Sequence, residues 1–225
     1  WWISHSPNNF RASAEPQDPL TPRDDAALSR AVSRCDERWS TYATYAQLRL
    51  DGLRDDALKA ATRTAAELNE NQCETEFVEW ICTEVLAERV ARSVVIPHPL
   101  EAIVLHELWR ASDRGEPFAI AALVRWFPKE VMASRAYEFD AIGAYLGEAV
   151  ERTQHPAVID LFANHQLNWV RINLADVPNG RYDGDPAADL RRLDATDALV
   201  MNDDPRRREA QELRDEILAW LKRRT

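Results

Sequence analysis

The stretch HPAVIDLFANHQLNWVRIN, residues 155–173, decides the fold class. Val158, Leu161, His165, Trp169 and Ile172 recur at steps of three and four, the spacing of one helical face, with no strand-like alternation. Pro156 stands at its front, where a helix loses nothing by the missing N–H and the fixed φ already suits the first turn. The same device recurs at Pro99, Pro117, Pro186 and Pro205, each just before a new apolar-periodic stretch. Leu100, Ile103, Val104 and Leu108 follow the first of these; Phe118, Ala122 and Leu123 follow the second.

Upstream, Thr21 reads as an N-cap with Pro22 at the first helical position, and Leu28, Val32, Cys35, Trp39, Tyr42 and Ala46 then share one face. Gly52 interrupts, and a second helix carries Leu53, Ala57, Ala61, Thr64 and Leu68. A third is expected from near Glu74, with Phe77, Ile81, Val85 and Val90 inside and Glu84, Glu88 and Arg92 as an outer i,i+4 ladder. A long helix is expected over 129–152, with Phe139, Ile142, Leu146 and Val150 along its buried stripe. The last helix places Leu213, Ile217, Trp220 and Leu221 inward and ends on Lys222, Arg223 and Arg224, cations suited to the negative end of the dipole.

These readings predict an all-α protein, an irregular array of about eight or nine antiparallel helices joined by short connections. The two His-Pro starts, HPLEAIVL and HPAVIDLF, suggest helical hairpins stacked in solenoid fashion, although no fixed period emerges. The domain reading is an extended N-terminal segment over 1–22 and a single helical domain over 23–225. A chain of 225 residues, 45% apolar and 29% charged, can bury such a core without staples, and six glycines disfavour a turn-rich β fold.

With 28 Lys and Arg against 38 Asp and Glu, the net charge of −10 opposes a phosphate backbone, so nucleic acid is not an expected partner. Simple solubility accounts for such an acidic surface, and attraction of a basic protein is the functional alternative. Only Lys59, Lys129 and Lys222 are lysines, an arginine excess that codon bias alone would explain. Cys35, Cys73 and Cys82 are odd in number and lack paired C-x-x-C spacing, so free thiols are expected.

The segment WWISHSPNNF opens a stretch with Pro7, Pro16, Pro19 and Pro22 and no apolar period, which reads as a tether or arm. Interfacial tryptophans ahead of a polar tether suit the outer end of a membrane anchor lying upstream of Trp1. Two alternatives stand beside that reading: Trp1 and Trp2 pack on the helical body, or the start is an arbitrary cut. The compartment is accordingly open between the cytoplasm and the outside of the cytoplasmic membrane. The longest apolar run, AIAALV at 119–124, is too short to span a bilayer.

Candidate site residues come from two stretches. LHELWR (105–110) holds His106 and Glu107 but fails the zinc pattern HExxH, because Arg110 stands where the second histidine would be. A ligand site there would need His106 to converge with His165 from another helix. ANHQLNWVRIN (163–173) is unusual for its asparagines, and Asp160, Asn164, Asn168 and Arg171 form a polar stripe suited to orienting a ligand or a peptide backbone. In VPNGRYDGDPAAD (177–189), Asp183 and Asp185 fit only the first positions of a calcium loop, and Asp185 is better read as the cap of the helix that Pro186 begins. Gly143 and Gly147 lie one turn apart, spacing that lets a neighbouring helix approach closely. Arg206 to Arg208 open a helix where cations are disfavoured, with Asp203 and Asp204 as the local answer.

No phosphate loop, GxSxG elbow or adjacent Cys-His pair occurs, so no catalytic residue, metal or cofactor is assigned. The favoured expectation is a non-enzymatic acidic helical protein that binds or organises another protein. The alternative is a helical enzyme or small-ligand or metal binder centred on His106 and His165.

Overall fold

Proline opens the helices as the sequence implies. In the computed structural model, which describes residues 20–86, 91–135, 138 and 140–224, seven α-helices carry proline in their first two positions. Several of these starts have a side-chain cap. Thr21 and Asp24 form a reciprocal capping box, while His155, Asp185 and Asp204 each accept a backbone N–H of the helix they precede. Among the described residues the protein is all-α, with twelve α-helices and no strand, more than the eight or nine expected.

The helices are α1 (Pro22–Ser33), α2 (Ser40–Leu50), α3 (Arg54–Asn71), α4 (Glu74–Trp80), α5 (Arg92–Val95), α6 (His98–Asp113), α7 (Pro117–Trp126), α8 (Pro128–Ser134), α9 (Ala141–Thr153), α10 (Pro156–Leu174), α11 (Pro186–Leu199) and α12 (Pro205–Lys222). Most consecutive helices pack on one another, and their lengths vary too widely for a regular repeat, so the array is irregular. No helix among the described residues is long and apolar enough to cross a membrane. The expected tether and the two N-terminal tryptophans lie outside the described residues, apart from Leu20 to Pro22.

The surplus helices arise where one periodic stripe is served by two helices. The face running from Leu28 to Ala46 has the spacing of one helix, yet α1 ends at Ser33, and the Asp36 side chain accepts the Arg38 N–H to start a 3₁₀ turn over Glu37–Trp39. Trp39 and Tyr42 still reach the core, so the stripe survives the break. The stretch expected as one helix over 129–152 is α8 and α9, because Arg135 leaves the helical region and Asp140 caps a new start by accepting the Gly143 N–H. Phe139 of the expected stripe lies outside the described residues.

The helix expected from Glu74 widens into a π-helical turn at Ile81–Val85 and stops at the extended Leu86. Glu84 and Arg92 of the expected outer ladder thus belong to separate elements. Glu84 pairs with Arg34 at 2.8 Å, and Arg92 begins α5 and pairs with Glu101 at 2.7 Å and Glu130 at 3.2 Å. Glu88 and Val90 lie outside the described residues.

Two apolar cores divide the molecule. The larger draws on α1 to α9 and the first half of α10, with Trp39, Tyr42, Phe77 and Trp80 in edge-on and tilted ring contacts at 5.3–6.5 Å. Buried Tyr42 also donates its hydroxyl to the Val95 carbonyl at 2.7 Å, satisfying an α5 acceptor. The smaller core gathers Leu167, Val170 and Leu174 of α10 with Leu193 of α11 and Ala210, Leu213 and Ile217 of α12. Helix α10 belongs to both.

The arginine excess has a structural use that codon bias does not supply. Arg92 reaches Glu101, Glu130 and the Trp126 carbonyl, Arg206 reaches Asp204 and Asp160, and Arg214 reaches Asp194 and Asp197. A planar fork with five donors can bridge two helices at once, which a lysine ammonium does less well. Asp204, one of the two acids expected to answer the Arg206 to Arg208 run, does so as the cap of α12.

Candidate functional site

The densest polar constellation lies at the seam between the two cores, where the start of α9 meets α10 and α11. Asp140 caps α9, and its Oδ1 accepts both the Gly143 N–H at 2.8 Å and the His165 ring Nε2–H at 2.9 Å. Its Oδ2 accepts Arg192 Nη1 at 2.6 Å, and the same Nη1 reaches Gln166 Oε1 at 2.8 Å. The guanidinium also lies over the Trp169 ring at 5.1 Å. Asp189 continues the network: Asn173 and Tyr182 donate to its Oδ2 at 2.8 and 2.7 Å, and Arg192 Nε stands 3.6 Å from its Oδ1.

Burial alone would raise the Asp140 carboxyl. The bonds from His165 and Gly143, helped by Arg192, overcome it and hold the group down to about 2, so it is ionised at any ordinary pH. For Tyr182 burial and the neighbouring Asp189 charge act together and push the phenol up.

Two glycines make room for these groups. A Cβ on Gly143 would collide with the Asp140 carboxylate, and one on Gly184 would collide with the Asn173 amide. Gly143 thus clears space for its own helix cap rather than for a neighbouring helix, which corrects the reading of its spacing to Gly147; Gly147 alone faces a neighbour, Phe162 of α10.

No protein-family model, curated protein or solved structure matches the chain.

Of the residues singled out from sequence, the structure separates the two histidines. His106, on α6, is 72% exposed at its side chain, whereas His165, on α10, is 19% exposed in the seam. The main neighbours of α6 are α3, α4 and α7, and those of α10 are α7, α9, α11 and α12. The two imidazoles have different surroundings: His106 faces solvent, while His165 is taken up by Asp140 where α9 meets α10. Glu107 is buried beneath His106 and accepts Thr75 Oγ1 and Arg110 Nη1, each at 2.8 Å, fastening α6 to α4. Burial works to raise its carboxyl, and the Thr75 and Arg110 bonds turn the balance downward.

The stripe on α10 faces solvent, with Asp160, Asn164, Asn168 and Arg171 all exposed. Its ends are engaged, Asp160 with Arg206 at 2.7 Å and Arg171 with Glu209. Asn164 and Asn168 between them have no side-chain partner among the described residues. Asp185 caps α11 as expected, and Asp183 pairs with Arg181 at 2.6 Å. Among the described residues no three His, Cys, Asp or Glu side chains gather as a metal ion would need.

Sequence reasoning missed Asp140, Gln166, Asp189 and Arg192. Asp140 had a local signal, an aspartate just before an apolar helical run. Arg192 had none, since nothing in LRRLD marks which arginine turns inward.

An ionised carboxylate orienting an imidazole is half of a nucleophile-activating relay. Here the carboxylate is also spanned by Arg192, and no hydroxyl or thiol is hydrogen-bonded to His165 among the described residues. The arrangement fastens helices.

The surface clefts offer little enclosure. One cleft of about 340 Å³ is lined by Trp109, Asp113, Arg135, Tyr145, Glu148 and Arg152, together with Ser134 and Glu138. Arg135 already spans Glu148 and Glu138 inside it.

A different kind of surface lies on α3, α4 and the π-helical turn. Between Arg63 and Leu86 the chain has six glutamates and no lysine or arginine. Glu67, Glu70, Glu76, Glu79 and Glu84 are exposed. Glu84 pairs with Arg34, Glu67 accepts the Thr41 hydroxyl and Glu76 lies within the field of Arg38, while Glu70 and Glu79 have no ion pair among the described residues.

Proposed function

We propose that the protein is a non-enzymatic acidic helical binding protein whose α3–α4 face receives a basic segment of another protein. The observation that carries this reading is the charge at the end of α3, whose last turn holds Glu70 and no cation. A carboxylate against the negative end of a helix dipole costs about 0.3–1 kcal/mol locally, so helix stability does not account for it. A cationic partner does. Glu74 and Glu76 sit in the first turn of α4, where the dipole favours them, and they extend the same negative surface. The buried acids and histidine support the non-catalytic half of the reading, because Asp140, His165, Glu107 and Asp189 are engaged with partners inside the fold.

The test is binding of a labelled short arginine- and lysine-rich peptide, followed by fluorescence anisotropy at low and high salt. Glu70→Lys with Glu76→Lys should weaken binding at least tenfold, on the order of what removing two favourable charges and adding two repulsive ones produces at low salt. Glu212→Lys with Glu216→Lys, on exposed positions of α12, makes the same change in net charge away from the face. Equal losses in both double variants would reduce the effect to net charge and sink the assignment of this face.

A further inference from the structure

The hairpin of α11 and α12 is attached differently from every other part of the molecule. Its principal neighbour outside itself is α10. The core it shares with α10 is small and separate: Leu193, Ala210, Leu213 and Ile217 close on Leu167, Val170 and Leu174, apart from the larger core beneath α1 to α9. Leu199, at the end of α11, touches that larger core from outside. The polar contacts follow the same line. Arg206 reaches Asp160, Glu209 meets Arg171 and Asp189 takes Asn173, all on α10. Arg192 goes further, spanning Gln166 of α10 and Asp140 at the start of α9.

We infer that the α11–α12 hairpin is a detachable lid that opens from α10 as one unit while α1 to α9 stay folded, with Arg192 on Asp140 and Gln166 as its latch. Few buried apolar contacts and a separate core are the features of a segment with a low opening free energy. The latch opposes that, because releasing Arg192 leaves the Asp140 carboxylate with one cationic partner fewer in a half-dry site. Opening uncovers the Leu167, Val170 and Leu174 stripe of α10, and Arg214 with Asp194 and Asp197 keeps the two hairpin helices together as they leave.

Native-state hydrogen exchange on the full chain tests this. In the wild type, the amides of Leu193 to Leu199 and of Ala210 to Ile217 should share one opening constant, at least about tenfold larger than that of Val104 to Leu108 and Ile120 to Leu123. Arg192→Met should raise hairpin exchange a further tenfold or more and leave α6 and α7 unchanged. Hairpin amides as protected as those of α6 and α7 in the wild type would overturn the inference, whatever the variant does. So would an Arg192→Met effect of equal size in both regions.

Discussion

Asp140 and His165 are 25 residues apart in the chain and 2.9 Å apart across the seam where α9 meets α10. The pair ties the start of α9 to the middle of α10: the carboxylate that holds the histidine also caps α9 through Gly143 and receives Arg192 from α11. One side chain therefore sets the positions of three helices.

Removing that carboxylate should be expensive. Asp140→Ala takes away a cap and leaves Arg192 and His165 without their anion, and we expect a loss of about 3 kcal/mol in urea unfolding, against about 1 kcal/mol for an ordinary cap. A loss of only the cap value would show that Arg192 and His165 are satisfied elsewhere.

The same group fixes a pH dependence. Its folded value is depressed to about 2 from 3.8, so the stability it contributes is complete above about pH 4 and is lost as pH falls through about 2. That contribution is about 2 kcal/mol, because each tenfold drop in proton affinity on folding is worth about 1.4 kcal/mol. In urea titrations across this range, the gap between wild type and Asp140→Asn should shrink toward acid. A gap that stays constant would remove Asp140 as its source.

Gly143→Ala should destabilise, although alanine in a helix interior normally gains about 1 kcal/mol over glycine. The new Cβ would strike a carboxylate held by three partners. In an Asp140→Ala background the collision is gone, and Gly143→Ala should become neutral or stabilising. A double-mutant cycle on thermal unfolding reads this reversal of sign directly.

Glu107→Ala should cost about 2–3 kcal/mol, since a buried carboxylate holding Thr75 and Arg110 is removed. His106→Ala, above it on the exposed surface, should change stability by less than about 0.5 kcal/mol. Differential scanning calorimetry of the two variants separates the neighbours, and comparable losses would give His106 a structural role as well.

The cysteines are free, as their number and spacing imply. Burial raises the Cys82 thiol to about 12 and the Cys35 thiol to about 11, and it raises Cys73 as well. Because the thiolate is the nucleophile, Cys82 should resist a disulfide reagent at neutral pH until the protein is unfolded. Cys73 should react before Cys82 in native conditions. Rapid native labelling of Cys82 would contradict its burial.

Much of the secondary structure was legible because it rests on local chemistry. Pro156, Pro186 and Pro205 announce their helices by lacking an N–H, and Asp185 and Asp204 cap them through atoms two residues away. Breaks inside a continuous stripe were not legible. Trp39 and Tyr42 keep the period across the turn at Glu37–Trp39, so apolar spacing carries no sign that α1 has ended. The site was harder still: His106 and His165 look alike in sequence, and only packing exposes one and draws the other into the seam.

The sequence by itself determined that this is an all-α protein, where most of its helices begin and that its charge is strongly negative, since period, proline and net charge act over a few residues or over none. Tertiary structure alone decided which arginines turn inward, that Asp140 anchors α9, α10 and α11 together, and that two cores share α10. Those outcomes depend on side chains far apart in the chain meeting in a site too dry to leave a charge unpaired, a balance no local pattern records.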